Sequence, residues 1–231
     1  MCGRFSEHID NLRQWEDILA GWPRLQATPR NVAPTQSIHL LRAGHKAGHK
    51  AGHKGGHEGE PGWAQARWGL VPRWSREAAP RYATFNARLE EVAGKPSYRG
   101  AWRGAQHALI PAGGYYEWRL EQGAKQPYFL HAAQGGPLVF AGLWEERVDT
   151  DSGEIALSAT ILTRPARPPQ DALHHREPVL LEPLMARQWL RGGADAQAAL
   201  PEAPTPALQW YRVSPRVNNA RNEGAGLTAP I

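Results

Sequence analysis

Short runs of β-branched and aromatic residues, each stopped by Gly or Pro, fill the chain from Ser37 to Thr163. This punctuation constrains the fold more than any other feature. It predicts strands at Ser37–Arg42, Ala64–Val71, Gln106–Pro111, Tyr115–Leu120, Pro127–Ala132, Pro137–Trp144 and Leu157–Thr163, with later ones at Glu177–Leu181 and Trp210–Val213. Helices are few. Residues 6–20 read as one, with Ser6 as its cap and Ile9, Leu12, Trp15 and Leu19 on one face. A second spans Pro183–Leu190, with Pro183 at its first position and Gly192-Gly193 ending it. Asn31-Val-Ala-Pro-Thr-Gln36 reads as a turn entering a strand. Strands rarely separated by helices predict an α+β domain. It is built round a mostly antiparallel, barrel-like sheet with a few flanking helices.

The 231 residues suit one domain or two small ones, and no linker divides them. One domain over residues 2–231 is the expectation. A single cysteine excludes an internal disulfide framework and fits a reducing compartment. No apolar run approaches the roughly 20 residues that span a bilayer. The first 20 residues lack a basic stretch followed by an apolar core. A cytoplasmic protein without membrane contact is expected. The net charge of +5 leans weakly toward a polyanionic partner. Ten tryptophans exceed what a core of this size needs, and exposed ones among arginines would suit stacking on unpaired bases.

Residues 43–54 repeat Ala-Gly-His-Lys three times and trail into Gly55-Gly-His-Glu-Gly-Glu-Pro61. Nothing in 43–61 can pack a core, so it reads as a flexible loop inserted between two strands. His45, His49, His53 and His57 at spacing four could chelate nickel or zinc, and the lysines could touch phosphate. The glycines between them oppose the helix that would align the histidines. A tolerated loop expansion is the preferred reading, and no metal is assigned.

The lone cysteine is Cys2, in Met1-Cys2-Gly3-Arg4-Phe5. Removing Met1 would leave a free α-amine and a thiol on adjacent carbons. Such a 1,2-aminothiol condenses with an aldehyde to an imine, and the thiol then closes a thiazolidine. The amine, of ordinary pKa about 7.7–8.0, and the thiol, about 8.5, both work near neutral pH. A small residue at a frayed terminus is the competing reading. Glu117, among aromatics at a strand start, would have its pKa raised by burial and could shuttle protons. Alternatively it is a strand carboxylate paired with an arginine. His174 lies just ahead of a predicted strand and is either structural or a proton carrier. Asn86 could hold a carbonyl or hydroxyl, or close a turn. Arg4, Arg73, Arg88 and Arg176 could clamp phosphates, or simply be solvated.

Taken together, the ordered segments resemble one family, the SOS response-associated peptidase (SRAP) family of abasic-site-processing proteins. They are Met-Cys-Gly-Arg-Phe, Asn31-Val-Ala-Pro-Thr-Gln36, Trp68-Gly-Leu-Val-Pro72, Asn86-Ala-Arg88 and Lys95-Pro-Ser-Tyr-Arg99. Ile110-Pro111, Tyr116-Glu-Trp118, His174-x-Arg176-x-Pro178 and Val217-Asn218-Asn219 complete the set. The resemblance implies an SRAP-like fold and loss of the initiator Met by self-cleavage. It implies a monomer that binds single-stranded DNA, associates with the bacterial nucleoid when so bound, and crosslinks Cys2 to the ring-opened abasic sugar without a cofactor. An abasic-site lyase activity is a further implication. By position Cys2 is the nucleophile, Asn86 orients it, Glu117 is the acid/base and His174 sits near the sugar hydroxyl. Arg4, Arg88 and Thr163 match residues around the DNA, and Trp68 belongs to a segment that contacts or wedges beside bases. Arg73 and Arg176 join the DNA-binding set. Gly113, where many members carry Asp, and Glu177, where Met or Arg is common, depart from the pattern; Glu177 would add negative charge near the DNA face. Two other readings compete. One is an N-terminal-nucleophile peptidase or amidase acting on other proteins. The other is a noncatalytic module that binds through its His/Lys loop.

Overall fold

The structure, a computed structural model, describes residues 2–22, 28–44, 60–148 and 153–231. Five strands close on themselves. They are β2 (Ser37–Arg42), β3 (Gly62–Trp68), β5 (His107–Ala112), β8 (Leu138–Val148) and β9 (Ile155–Pro165). The order β9-β3-β2-β5-β8 returns to β9 through a long antiparallel pairing from Gly142↔Ile161 to Val148↔Ile155. Only β3 and β9 run parallel in this ring, so the barrel is mixed. Closure leaves these strands without the exposed edges that invite aggregation. β4 (Asn86–Arg88) and β10 (Arg176–Pro178) both attach to the far end of β9, β4 in parallel and β10 antiparallel. A second sheet has the order β1 (Phe5–Ser6), β6 (Gly114–Glu121), β7 (Ala124–Ala132) and β11 (Leu208–Arg212). This is the expected α+β arrangement.

Every residue of β5 is buried, because each face has its own cover. Ala108, Ile110 and Ala112 point into the barrel, where they meet Phe5, Ile38, Leu40, Trp68, Phe140 and Ile161. Leu109, on the opposite face by the two-residue period of a strand, joins a second core with Trp189 and Ala186 of α2 (Pro183–Arg191). The smaller helices are α1 (Arg99–Arg103) and α3 (Ala194–Ala199).

Each predicted strand is present, β2 with the expected ends and the others with ends moved by a few residues. β3 stops at Trp68 rather than Val71 because Gly69 turns the chain at φ +137°. The predicted strand at Glu177–Leu181 is split into β10 and an isolated bridge from Leu180 to Phe140. The turn at 31–36 has Thr35 at φ +78°. The helix expected over 6–20 is not formed. Ser6 pairs with Gly114 in β1, and only Arg13–Trp15 makes a single 3-10 turn. Arg13 sits at φ +47°, which an α-helix cannot contain. The apolar face was nonetheless real, since Trp15, Ile18 and Leu19 are buried against the α2 side of the barrel. The histidine repeat, residues 45–59, lies outside the described residues; the hairpin that carries it is framed by the pair Arg42↔Gly62. Among the described residues no helix is long and apolar enough to cross a membrane.

Trp68 is fully buried in the barrel, edge-on to Phe5 and Phe85, and its Nε1 donates to Phe85 O at 2.8 Å. It is therefore a core residue and not a platform for bases, contrary to the sequence expectation. Trp68→Ala should destabilise the fold by about 3–5 kcal/mol. For a chain of this size that lowers the melting temperature by about 10 °C, read by circular dichroism.

Candidate active site

Strand β1 brings the N-terminus to the barrel. Phe5 pairs with Tyr115 and bridges Val32, while Arg4 O accepts from Tyr116 N at 2.9 Å. Two glycines make this approach possible. A Cβ on Gly113 would strike His8 O, and one on Gly114 would lie 2.5 Å from Leu130 O. The absence of Asp at position 113 thus has a steric cause in this chain.

Cys2 is completely buried, with Sγ 3.9 Å from Arg4 O. Its carbonyl accepts from Asn86 Nδ2 at 2.7 Å. That contact fixes the amide orientation, since a carbonyl can only be met by the NH2 group. Asn86 is itself held twice. β4 pairs it with Ile161, and Tyr98 Oη donates to its carbonyl at 3.1 Å. Its Oδ1 is buried without a hydrogen-bond partner among the described residues, leaving an acceptor beside Cys2. Burial pushes the Cys2 thiol up, and the negative charge of Glu117 adds to the effect.

Glu117 lies on β6 and is only 4% exposed. Burial raises its pKa to about 7, against the opposing positive charge and hydrogen bond of the N-terminal amine and the backbone N–H of Trp118. His174 is half-buried, and burial followed by the same N-terminal charge lowers its pKa to about 4. Its Nδ1 is 3.0 Å from Arg176 N and 3.2 Å from Arg176 O. An N–H can only donate, so Nδ1 is the acceptor and the neutral ring carries its proton on Nε2. Cys2, Asn86, Glu117 and His174 therefore gather round one chain end. They comprise a buried aminothiol precursor, a carboxyl that titrates near neutrality, and a neutral imidazole.

The chain matches the family SOS response associated peptidase (SRAP) over residues 1–220. It belongs to the SRAP family. The abasic site processing protein YoaM of Bacillus subtilis is 29% identical over 236 residues, covering 98% of this chain and 97% of the relative. The abasic site processing protein YedK of Escherichia coli is 31% identical, over 71% of this chain and 73% of its own. A crystal structure from Bordetella bronchiseptica superposes with a TM-score of 0.73 at 26% identity, covering 92% of this chain and all of the other.

Within this SRAP site the expected DNA-binding residues divide. Arg88 ends β4 on the same strand face as Asn86, half in solvent, with Glu91 at 3.2 Å. Arg4 is partly structural, because its Nη1 donates to Asn31 Oδ1 at 2.9 Å and to Val217 O at 2.8 Å. The other three are held by protein partners. Thr163 is fully buried, with Oγ1 3.2 Å from Arg176 Nη2. Arg176 is buried and forks onto Glu90 and Thr163 O, so it ties β9 and β10 to the segment after β4. Arg73 is bound to Glu145 at 2.7 Å and lines a cleft that includes none of the four central residues. Glu177 adds no charge to a DNA face, since it is buried against Arg164 at 2.8 Å and Thr205 at 3.0 Å.

Sequence reasoning passed over Trp74 and Tyr82, which are 62% and 57% exposed. The signal was available in Arg73-Trp-Ser-Arg76, an aromatic set between arginines. It also passed over Asn31 as a hub: fully buried, it accepts from Arg4 and donates to Asn219 O and Asn222 O, each at 2.9 Å.

Proposed function

We propose that this SRAP protein processes abasic sites in single-stranded DNA by forming a covalent thiazolidine between Cys2 and the aldehyde of the ring-opened sugar. The observation that carries the reading is the grip of Asn86 on the Cys2 carbonyl beside a buried carboxyl of pKa about 7. The names of the relatives, abasic site processing proteins, supply the substrate class.

Once Met1 is gone, the Cys2 amine attacks the aldehyde carbon and forms a carbinolamine. Protonated Glu117 gives its proton to the departing hydroxyl, water leaves, and an imine remains. The thiol then adds to the imine carbon and its proton passes to the nitrogen, closing the ring. The net change is aldehyde plus aminothiol giving thiazolidine plus one water. His174, neutral at pH 7, serves as a hydrogen-bond donor through Nε2 and not as an acid. Trp74 and Tyr82 offer exposed rings for unpaired bases, and Arg88 a guanidinium for the neighbouring phosphate. The adduct shields the lesion from strand cleavage.

The thiol argues against a general cysteine peptidase. Such enzymes lower the thiol pKa with a cationic partner. Here burial and Glu117 raise it, and the sulfur contacts the Arg4 carbonyl instead of an imidazole. Self-removal of Met1 is the one peptide cleavage compatible with the reading. The test is intact mass before and after incubation with single-stranded DNA bearing one abasic site. Loss of Met1 followed by a stable adduct of protein plus DNA minus water is expected. Loss of Met1 with no adduct would move the protein to the peptidase reading.

A further inference from the structure

A cleft of about 540 Å³ opens beside the barrel where β2 ends and β5 begins. Arg73, Arg103, Arg191, Gln106 and Trp144 are among its walls. Arg73 is fixed in place, with Nε 2.8 Å and Nη2 2.7 Å from Glu145 Oε1 and Nη2 2.8 Å from Gln106 Oε1. Arg103 and Arg191 are exposed, and neither has an ion pair or side-chain hydrogen bond among the described residues. Three arginines thus line the cleft, and no carboxylate is among its lining residues. A fourth, Arg42, lies over the Trp144 ring at 5.0 Å. Gln106 is 4% exposed; its Oε1 accepts from Arg73 and its side chain also hydrogen-bonds Glu145. The wall at Gly193 is open, with nothing within 4 Å of where a Cβ would stand, so a ligand can approach the backbone there.

Helix α1 joins this cleft to the Cys2 site. Its N-cap, Tyr98, bonds the carbonyl of Asn86, the residue that holds Cys2. Its last residue, Arg103, is on the cleft wall. Five helical residues span only about 7.5 Å. Trp74, exposed, follows Arg73 directly. The exposed Trp74 ring thus adjoins a residue of the cleft wall.

We infer that this cleft is a second phosphate-binding site that holds the backbone of the DNA strand flanking the lesion, with Arg103 and Arg191 as the phosphate ligands. The inference rests on the proposed single-stranded DNA substrate but not on the crosslink. Guanidinium forks suit phosphate oxygens, and each neutralised phosphate releases counterions.

The test uses the whole protein, the double variant R103E/R191E and its milder form R103Q/R191Q. Noncovalent affinity is measured by fluorescence anisotropy against undamaged single strands of about 16 and about 4 nucleotides. Losing two phosphate contacts should reduce the slope of log affinity against log salt by about 1.4 for the long strand. Affinity for that strand should fall at least tenfold with the reversal, and less with the glutamines. A 4-mer centred on an abasic site should be crosslinked at the wild-type rate by both variants, which also shows that they fold. An unchanged slope and affinity on the long strand, in variants that still crosslink the short one, would overturn the inference. So would inorganic phosphate that protects Arg103 and Arg191 from guanidine-directed reagents while the long strand does not. Failure of the wild-type protein to crosslink would instead strike the proposed function and leave the salt slopes to decide the cleft.

Discussion

Cys2→Ala abolishes the stable adduct while noncovalent affinity for single-stranded DNA stays at the wild-type level. Gel shift under denaturing conditions reads the first and anisotropy the second. The substitution removes one buried sulfur from a packed cluster, a change of about 1 kcal/mol, so the fold survives. If Met1 has been removed, the variant still carries an α-amine. It should then form an imine that borohydride traps, though it cannot close a thiazolidine. A trapped imine without a stable adduct would show that the amine attacks first, as the raised thiol pKa implies. A stable adduct in Cys2→Ala would place the nucleophile elsewhere and end the assignment.

Much of the fold was legible because strands in this chain are short and plainly punctuated. β2 stands where its pattern of Ile, Leu and His placed it, to the residue. The closed ring was less legible, since it depends on β9 pairing with both β3 and β8, and no local signal encodes a partner. The false helix at 6–20 shows the limit from the other side. Its apolar spacing was correct, and the residues are buried, but tertiary contacts satisfy them without helical backbone. Phe5 and Ser6 gain sheet partners in Tyr115 and Gly114, and Arg13 breaks the run with a positive φ. β1 and β4 are too short, at two and three residues, for any periodicity to announce them, yet they position Cys2 and Asn86.

The site was legible in its chemistry and poorly legible in its surface. The chemistry of Cys2, Asn86, Glu117 and His174 left a structural alternative open for each, and the family resemblance singled them out; burial shifts Glu117 up and His174 down. The arginines could not be sorted, because a guanidinium that clamps phosphate and one that clamps Glu90 have the same sequence signature. In the structure Arg176 clamps Glu90. Trp68 failed for a related reason. A tryptophan beside a conformationally free glycine suits a wedge or a core, and only the enclosed position against Phe5 decides.

Glu117→Gln should slow crosslinking by about 10²–10⁴-fold, the usual range for losing a positioned acid/base, with affinity for undamaged DNA unchanged. The amide keeps the shape of the carboxyl but has no proton to give to the departing hydroxyl. The pH profile separates this role from a structural one. In the wild-type protein the rate rises as the Cys2 amine loses its proton, near its ordinary range of about 7.7–8.0, and falls as Glu117 ionises through about 7. The product is a bell with its top between the two. The variant should keep the rising limb and lose the falling one. Stability should follow a different profile from activity. Raising a carboxyl from 4.5 to about 7 means the folded state binds the proton more tightly than the unfolded chain does. Stability attributable to Glu117 is then full below about 4.5 and is lost as pH climbs through 7, by about 3 kcal/mol. Glu117→Gln should therefore melt higher than the wild type at pH 8 and at nearly the same temperature at pH 4. A variant that crosslinks at the normal rate would make Glu117 a buried strand carboxylate and nothing more. One that crosslinks slowly but retains the bell would assign the acid to another group, with His174 excluded by its position far down the acid side.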